Sequence, residues 1–393
     1  MTGLNQTVSG RIAICILMLG CVCGAKGGPR SALEVPGPPA DKDAPMAMAF
    51  GKDGDLFVFY KAKAATADHQ SWHLLRIAKP LSKNSMRSDI EISSESNAAS
   101  ALLNASAGVL LSSDGSVLLS RISGYSAKGE AGGTVFAVDT QESHVLARLD
   151  VAGLHLTNPQ LIGFSSKNTV LISSVPQFRF SKLTVVEFDA RTLKELNRCT
   201  LSLETAAELC EPTSIENAWC KAAASKDSKG ARVFEAGSTS PKNGQFVSLP
   251  DGYGGVHFIK STPSGLLIVA SDEDPKTAAP TNLRLFVKRD NGGVISTSPV
   301  LPPCDVTNVQ TSQDELVGLF DCSETRRSVL DTYYTAKRNA VVFSIQNLQI
   351  LAEIPDSKNR RASGAIWHDA EGAVVAIFQN TGKLAFYSIP ARR

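Results

Sequence analysis

One pattern recurs along most of the chain: an apolar run, a short polar turn that often contains Asp-Gly, and a second apolar run. Seven copies are found, at residues 46–60, 107–120, 159–173, 219–234, 255–270, 305–320 and 364–378. The six intervals between Gly54 in the first turn and Gly372 in the last average 53 residues. Internal repetition at this period is typical of propellers with four-stranded blades.

Residues 133–174 show a complete unit. Residues 134–138 and 145–151 alternate apolar with polar or small residues around the turn that Asp139 opens, as half-buried strands do. Looser strand patterns also follow other copies, at residues 72–77, 183–203, 283–300 and 340–354. We therefore predict an all-β fold, a seven-bladed β-propeller of four-stranded antiparallel blades.

The fourth copy is the poorest, which leaves an alternative open. Only residues 245–249 follow it as a candidate strand, and residues 201–209 resemble a helix with Ser202 as its cap. A six-bladed propeller with an insertion at about residues 199–245 is that alternative.

The last unit, residues 364–393, contains only three strand patterns. Residues 31–37 resemble residues 146–153, which form the fourth strand of the complete unit. We expect residues 31–37 to complete the last blade, because a closed ring leaves no unpaired edge there.

The first 25 residues resemble an export signal. Arg11 is their only charge, and it precedes the apolar run 12–19 and small residues up to Ala25. The run is too short to cross a bilayer, which needs about 20 residues. Cleavage after Ala25 would leave residues 26–393 as one exported propeller domain, periplasmic or extracellular. The alternative is a lipoprotein anchored at Cys21 in the cell envelope.

The composition describes a globular protein with almost balanced charge. Hydrophobic residues make up 43% of the chain, charged residues 20%, and the formal net charge is +2. We expect no nucleic-acid partner, since no basic surface is indicated.

Five cysteines follow the export signal, at positions 199, 210, 220, 304 and 322. Cys304 and Cys322 flank a predicted hairpin whose turn is residues 312–315, so we expect a disulfide between them. Two buried free thiols are the alternative. Among Cys199, Cys210 and Cys220, the spacing does not select a pair.

Residues 134–151 followed by 159–173 resemble a YVTN-type propeller repeat: an alternating strand, an Asp-Thr turn, a second strand, a Pro, and a strand–turn–strand unit. Residues 183–196 resemble the Asp-x-x-Thr turn of quinoprotein-like blades. The resemblance covers about 40 residues well. It implies a propeller of the WD40/YVTN-like kind outside the cytoplasm, and no particular reaction.

No catalytic, metal-binding or cofactor-binding motif is found. The histidines do not occupy equivalent positions in successive repeats, and the acidic cluster 272–274, expected in a loop, lacks the spacing of a calcium loop. A ligand would lie at a mouth of the central channel, where four polar residues precede or begin inner strands: Asn158, Tyr253, Thr307 and Ser363. Their alternative role is in turns.

We therefore expect an exported, non-enzymatic propeller that recognises a protein, peptide or glycan through blade loops. The alternative is an enzyme, or a subunit of one, with residues spread over several blades: a lyase, a glycosidase or a quinoprotein-like protein.

Overall fold

Seven four-stranded antiparallel sheets form a closed ring. The structure is a computed structural model that describes residues 33–41, 46–63, 70–82, 84–95, 103–125, 131–156, 159–165, 168–174, 180–222, 231–237, 245–250, 253–273, 280–289, 295–301, 304–327, 333–356, 364–379 and 381–391. Each blade is given below with its strands from the channel outward. The prediction of seven blades is confirmed.

Three blades come first. Blade 1 contains β2 (Met46–Phe50), β3 (Leu56–Lys61), β4 (Gln70–Ala78) and β5 (Met86–Glu95). Blade 2 contains β6 (Leu103–Leu111), β7 (Val117–Tyr125), β8 (Ala131–Asp139) and β9 (His144–Asp150). Blade 3 contains β10 (Pro159–Phe164), β11 (Val170–Ser174), β12 (Phe180–Phe188) and the first half of β13 (Glu195–Pro212). A 3-10 turn, Val151–Leu154, joins blades 2 and 3.

The remaining four blades complete the ring. Blade 4 contains the second half of β13, then β14 (Asn217–Ala222), β15 (Arg232–Gly237) and β16 (Phe246–Ser248). Blade 5 contains β17 (Gly255–Thr262), β18 (Gly265–Glu273), β19 (Pro280–Lys288) and β20 (Ile295–Thr297). Blade 6 contains β21 (Asp305–Thr311), β22 (Val317–Arg327), β23 (Tyr333–Ser344) and β24 (Ile350–Asp356). Blade 7 contains β25 (Ala365–Asp369), β26 (Gly372–Phe378), β27 (Lys383–Pro390) and β1 (Leu33–Pro36).

The two ends of the chain meet in blade 7, as the sequence predicted. Strand β1 pairs antiparallel with β27, with Leu33 opposite Phe386 and Pro36 opposite Lys383. The amide of Gly37 then donates to the carbonyl of Gly382 at 2.8 Å. A Cβ on Gly37 would lie 2.5 Å from that carbonyl oxygen, so the close approach requires glycine. Of the predicted segment 31–37, residues 31 and 32 lie outside the described part of the chain.

The structure corrects our interpretation of the fourth repeat. The described strand residues of the segment 219–234 belong to β14 and β15, the second and third strands of blade 4, and not to its first and second. The inner strand is the second half of β13, where Ala207 pairs with Ala222 and Pro212 with Ala218. The helix expected at residues 201–209 is therefore wrong. One continuous strand crosses from blade 3 to blade 4, and its turn to β14, residues 213–216, has neither Asp nor Gly to mark it.

A smaller correction concerns the acidic cluster at residues 272–274. Asp272 and Glu273 end strand β18 and pair with Asn282 and Pro280 of β19, so they are strand residues. Residue 274 lies outside the described part of the chain.

The core is divided among the contacts between blades. Seven clusters of buried apolar side chains are found, one at each of the seven interfaces between adjacent blades. Strand residues alternate between the two neighbours: Leu118 packs toward blade 1, and Leu119 toward blade 3. Each middle strand is therefore buried on both faces, which explains its short, nearly continuous apolar sequence.

Arginine side chains add polar contacts between neighbouring blades. Arg76 of blade 1 pairs with Asp55 at 2.6 Å and donates to the carbonyl of Thr140 in blade 2 at 3.0 Å. Arg191 of blade 3 pairs with Asp139 of blade 2 at 2.8 Å. These bonds fix the positions of adjacent blades more specifically than apolar packing alone.

Two disulfide bonds are present in the described residues. One joins Cys304 to Cys322, the pair expected from the sequence, with Cα atoms 5.3 Å apart. A hairpin centred on its turn would place the two cysteines directly opposite each other. Instead, Cys322 pairs with Val306 across the hairpin. The other joins Cys210 to Cys220, which face each other on β13 and β14, and Cys199 is a free thiol. Among the described residues there is no helix long and apolar enough to cross a membrane.

Candidate functional site

The two faces of the ring differ in their connections. On one face, here called the turn face, the first strand of each blade joins the second through two to five residues. On the opposite face, the loop face, each blade is joined to the next. There the strand bounds leave six to nine residues in every connection except the continuous β13. Long connections around the channel therefore gather on the loop face, where propeller loops can vary without disturbing the scaffold.

Of the four residues predicted from the sequence, Tyr253 and Thr307 lie toward the loop face. Asn158 and Ser363 lie outside the described residues. Thr307 is in β21, where its backbone is opposite Asp321. Only Tyr253 has a described side chain, so the structure does not bring the four together at a described site.

Tyr253 contacts both blade 4 and blade 5. Its ring packs edge-on against Phe286 with centroids 5.3 Å apart, and the guanidinium of Arg284 lies 5.7 Å from its centroid. Its carbonyl accepts from the amide of Ala231 in blade 4 at 3.2 Å.

The turn-face end of the channel is spanned by a side chain. The Nε2 atom of Gln313, in blade 6, donates to the carbonyl oxygen of Ser112, in blade 2, at 3.1 Å. Blades 2 and 6 are not neighbours in the ring, so this bond crosses the channel opening. The Oε1 atom of Gln313 is buried and has no hydrogen-bond partner.

Charged groups lie beside this crossing. The Nζ atom of Lys260, on the inner strand of blade 5, donates to Thr311 Oγ1 at 2.6 Å and pairs with Glu315 Oε1 at 2.9 Å. Glu211 lies on the neighbouring inner strand of blade 4, and burial raises its pKa to about 8. The positive charge of Lys260 opposes this shift and the negative charge of Glu315 adds to it. Glu211 is therefore mostly protonated at neutral pH.

Two equivalent turns hold the crossing in place. In blade 2, Ser112 donates to Asp114 at 2.6 Å, and in blade 6, Ser312 donates to Asp314 at 2.5 Å. Hydrogen bonds from Ser112 and from the amide of Ser116 lower the pKa of Asp114 to about 2. Asp314 also pairs with His368 Nδ1 of blade 7 at 2.6 Å.

The chemistry of this turn-face cluster is mainly internal pairing. The carboxylates of Asp114, Asp314 and Glu315 have partners within the protein, and no group of three metal-ligating side chains is found in the described part of the chain. The sequence offered one clue to the cluster, since Ser112–Asp114 and Ser312–Asp314 share the Ser-x-Asp pattern. It offered no clue that Gln313 would reach across the ring.

Comparisons with known proteins agree with the fold. No family model and no curated protein matches the sequence. Among solved structures, the Dos1 propeller is similar over 93% of this chain and 96% of its own, with 8% identity and a TM-score of 0.44. The propeller domain of the trilobed protease of Pyrococcus furiosus matches over 88% and 91%, with 10% identity and a TM-score of 0.42.

An arabinofuranosidase of Fusarium graminearum, solved with arabinobiose, is also similar. It matches over 81% of this chain and 99% of its own, with 12% identity and a TM-score of 0.41. At these identities the likeness concerns the fold alone. The class that the fold defines is a seven-bladed β-propeller, a scaffold that supports both enzymes and binding proteins.

Proposed function

We propose that this protein is an exported, non-enzymatic propeller that binds a protein, peptide or glycan partner through the loops of its loop face. The observation that carries this proposal is the difference between the two ends of the channel. The turn-face end is spanned by Gln313 and surrounded by internally paired charges. The long connections around the channel all belong to the other end.

Binding at the turn face would cost more free energy than binding at the loop face. A partner at the turn-face cluster would have to replace hydrogen bonds and ion pairs that tie neighbouring blades together. A partner at the loop face can contact exposed connection residues such as Val300, while buried neighbours such as Leu301 keep the blades packed. The rigid ring would hold these loops in fixed relative positions, which reduces the ordering that binding requires.

Export is part of the same proposal. Two disulfides in a chain of this size suit an oxidising compartment. The charged and apolar start of the chain, with cleavage after Ala25 or lipidation at Cys21, would direct it there. The resemblance of residues 134–173 to YVTN-type repeats also supports a place outside the cytoplasm.

Site-specific photo-crosslinking in the cells that make the protein tests the binding face. A photoreactive amino acid would replace exposed Thr381 or Val300 on the loop face, and exposed Asp53 or Asn347 on the turn face as matched controls. We expect covalent partner adducts from the loop-face positions alone. Adducts confined to the turn face, or none from any position, would contradict the proposal.

A further inference from the structure

On the face that it presents to blade 3, the inner hairpin of blade 2 is apolar near its middle and polar toward the loop face. Near its middle, Leu110 and Leu119 pack into the apolar cluster between the two blades. Strand alternation places Gly108 and Arg121 next on this face, paired across the hairpin. Ser106 and Ser123 follow toward the loop face, with their hydroxyl oxygens 2.7 Å apart.

Arg121 is the unusual member of this row. Its Nε atom is buried and has no hydrogen-bond partner, and no ion pair to it is found within the described residues. Burial lowers its pKa, and no nearby carboxylate offsets the effect. An arginine stays charged in proteins, so this cation is enclosed without a counter-charge.

Small residues are neighbours of the guanidinium on its own blade. A Cβ on Gly108 would lie 3.5 Å from Arg121 Nε and 3.6 Å from Nη2, so the guanidinium lies against the inner strand. Gly133 is paired with Ser123 on β8, one row toward the loop face. The space around Arg121 is thus lined by glycine and serine on its own blade.

Blade 3 presents hydroxyl groups to the same interface. Ile172 and Val186 belong to the shared apolar cluster, and alternation puts Ser174 and Thr184 next on that face toward the loop face. Ser174 Oγ accepts from the amide of Thr184 at 3.0 Å. Thr184 Oγ1 lies 3.3 Å from the hydroxyl oxygen of Thr200.

We propose that the loop-face end of the interface between blades 2 and 3 forms a cleft, lined by Arg121, Ser106, Ser123, Ser174 and Thr184, that binds a carboxylate group of the partner. A guanidinium offers two parallel N–H donors that match a carboxylate, and hydroxyl groups supply further donors and acceptors around it. A bound carboxylate would neutralise the enclosed charge of Arg121. The carboxylate would come from the C-terminus of a peptide or from a uronic acid of a glycan.

This inference rests on the proposed function in that it names the chemistry that the loop face recognises. Its test uses small probes and no partner. If the probes do not bind, the crosslinking result still stands. If crosslinking finds no partner, the result with the probes still stands.

The experiment is an NMR titration of exported protein labelled with ¹⁵N-arginine, followed at the arginine Nε–Hε signals. The probes are N-acetylglycine, which carries a peptide-like carboxylate, and glucuronate. We expect a slowly exchanging Nε–Hε signal to shift saturably with at least one probe, and the tighter probe identifies the source of the carboxylate. The uncharged probes N-acetylglycinamide and glucose should leave it unshifted.

Variants assign the signal to the cleft. Binding by the Arg121 variants, which lack the reporting side chain, is followed at the probes' own ¹H signals: Arg121→Gln should abolish probe binding, and Arg121→Lys should weaken it about tenfold, because lysine lacks the planar fork. Arg148→Gln is the matched control, since Arg148 is in the same blade and contacts Phe136, which packs toward blade 1. It should leave binding unchanged. Gly108→Val keeps the arginine but fills the adjacent space, and should also weaken binding.

Two results would overturn the proposal. One is the absence of any saturable arginine shift in the unmodified protein, which needs no variant to fold. The other is equal binding of the probes by the unmodified protein and by folded Arg121→Gln or Gly108→Val.

Discussion

Gln313 donates a hydrogen bond to the carbonyl of Ser112 at 3.1 Å, although 201 residues separate them in sequence and they belong to blades 2 and 6. The bond joins two parts of the ring that share no blade interface. It therefore couples the two Ser-x-Asp turns directly across the channel. The stability of these turns should depend on this side chain as well as on their own blades.

Replacing Gln313 tests that coupling. Gln313→Ala should lower stability by about 1 kcal/mol, the usual net value of one hydrogen bond. Amide exchange in the turn at residues 112–116 should become faster although that turn is in another blade. Hydrogen–deuterium exchange would measure this, with Asn347→Ala as the control in an exposed turn of blade 6. Unchanged exchange at residues 112–116 would show that the contact is energetically neutral.

Removing β1 tests the closure of the ring. A chain that begins at Gly37 loses the pairing of β1 with β27 and the packing of Val35 in the cluster between blades 1 and 7. We expect a loss of about 2–4 kcal/mol from several backbone hydrogen bonds and one partly buried side chain. Thermal unfolding would measure it, with Glu34→Gln as the control, because the Glu34 side chain is exposed and its main partner is the exposed Lys383. Equal melting temperatures for the full chain and for the chain that begins at Gly37 would contradict closure by β1.

Glu211 should make stability fall as pH rises. Its pKa is about 8 in the folded protein, raised by burial from an ordinary value of 4.5. Between these values the unfolded chain releases the proton that the folded protein retains, so folding loses free energy with increasing pH. Glu211→Gln removes this penalty. It should stabilise the protein at pH 8.5 by on the order of 4–5 kcal/mol, the free energy of this pKa difference, and by almost nothing at pH 4.5.

Denaturant unfolding at several pH values would measure the difference between the two proteins. Glu216→Gln, an exposed residue in the nearby turn, is the matched control and should show no such trend. A stability difference for Glu211→Gln that does not change between pH 4.5 and 8.5 would contradict the buried protonated state.

The two disulfides should contribute unequally. Cys304 and Cys322 are 18 positions apart in sequence, and Cys210 and Cys220 are 10 apart. In the chain-entropy description the longer loop gives the larger stabilisation, about 3 kcal/mol at this length. The double variant Cys304→Ala, Cys322→Ala should therefore melt below Cys210→Ala, Cys220→Ala. Peptide mapping without reductant should find both bridges and alkylated Cys199, and alkylation of all five cysteines would contradict both bridges.

Much of the fold could be predicted because the apolar runs of the inner strands recur at regular intervals in the sequence. Six of the seven predicted inner pairs coincide with the observed ones, and residues 31–37 were expected where β1 closes the ring. The fourth pair was misplaced because β13 runs through two blades without a turn, and residues 213–216 lack the usual turn residues. Pattern reasoning depends on such breaks and cannot detect a boundary that the chain does not mark.

The candidate site was harder to predict than the fold. Channel-lining and cleft residues such as Gln313 and Arg121 come from different blades, and their roles depend on neighbours that are distant in sequence. From sequence alone, an arginine in a predicted strand indicates a position that faces solvent. Only the paired glycine and the missing counter-charge show that Arg121 is enclosed.

The most direct test of the account is amide hydrogen exchange of the protein with and without the partner that crosslinking identifies. Binding through the loop face predicts protection at residues 61–63 and 379–383, and little change at the turns 112–116 and 312–316. Protection confined to the two turns would contradict the account, because the partner would then bind at the end of the channel that Gln313 spans.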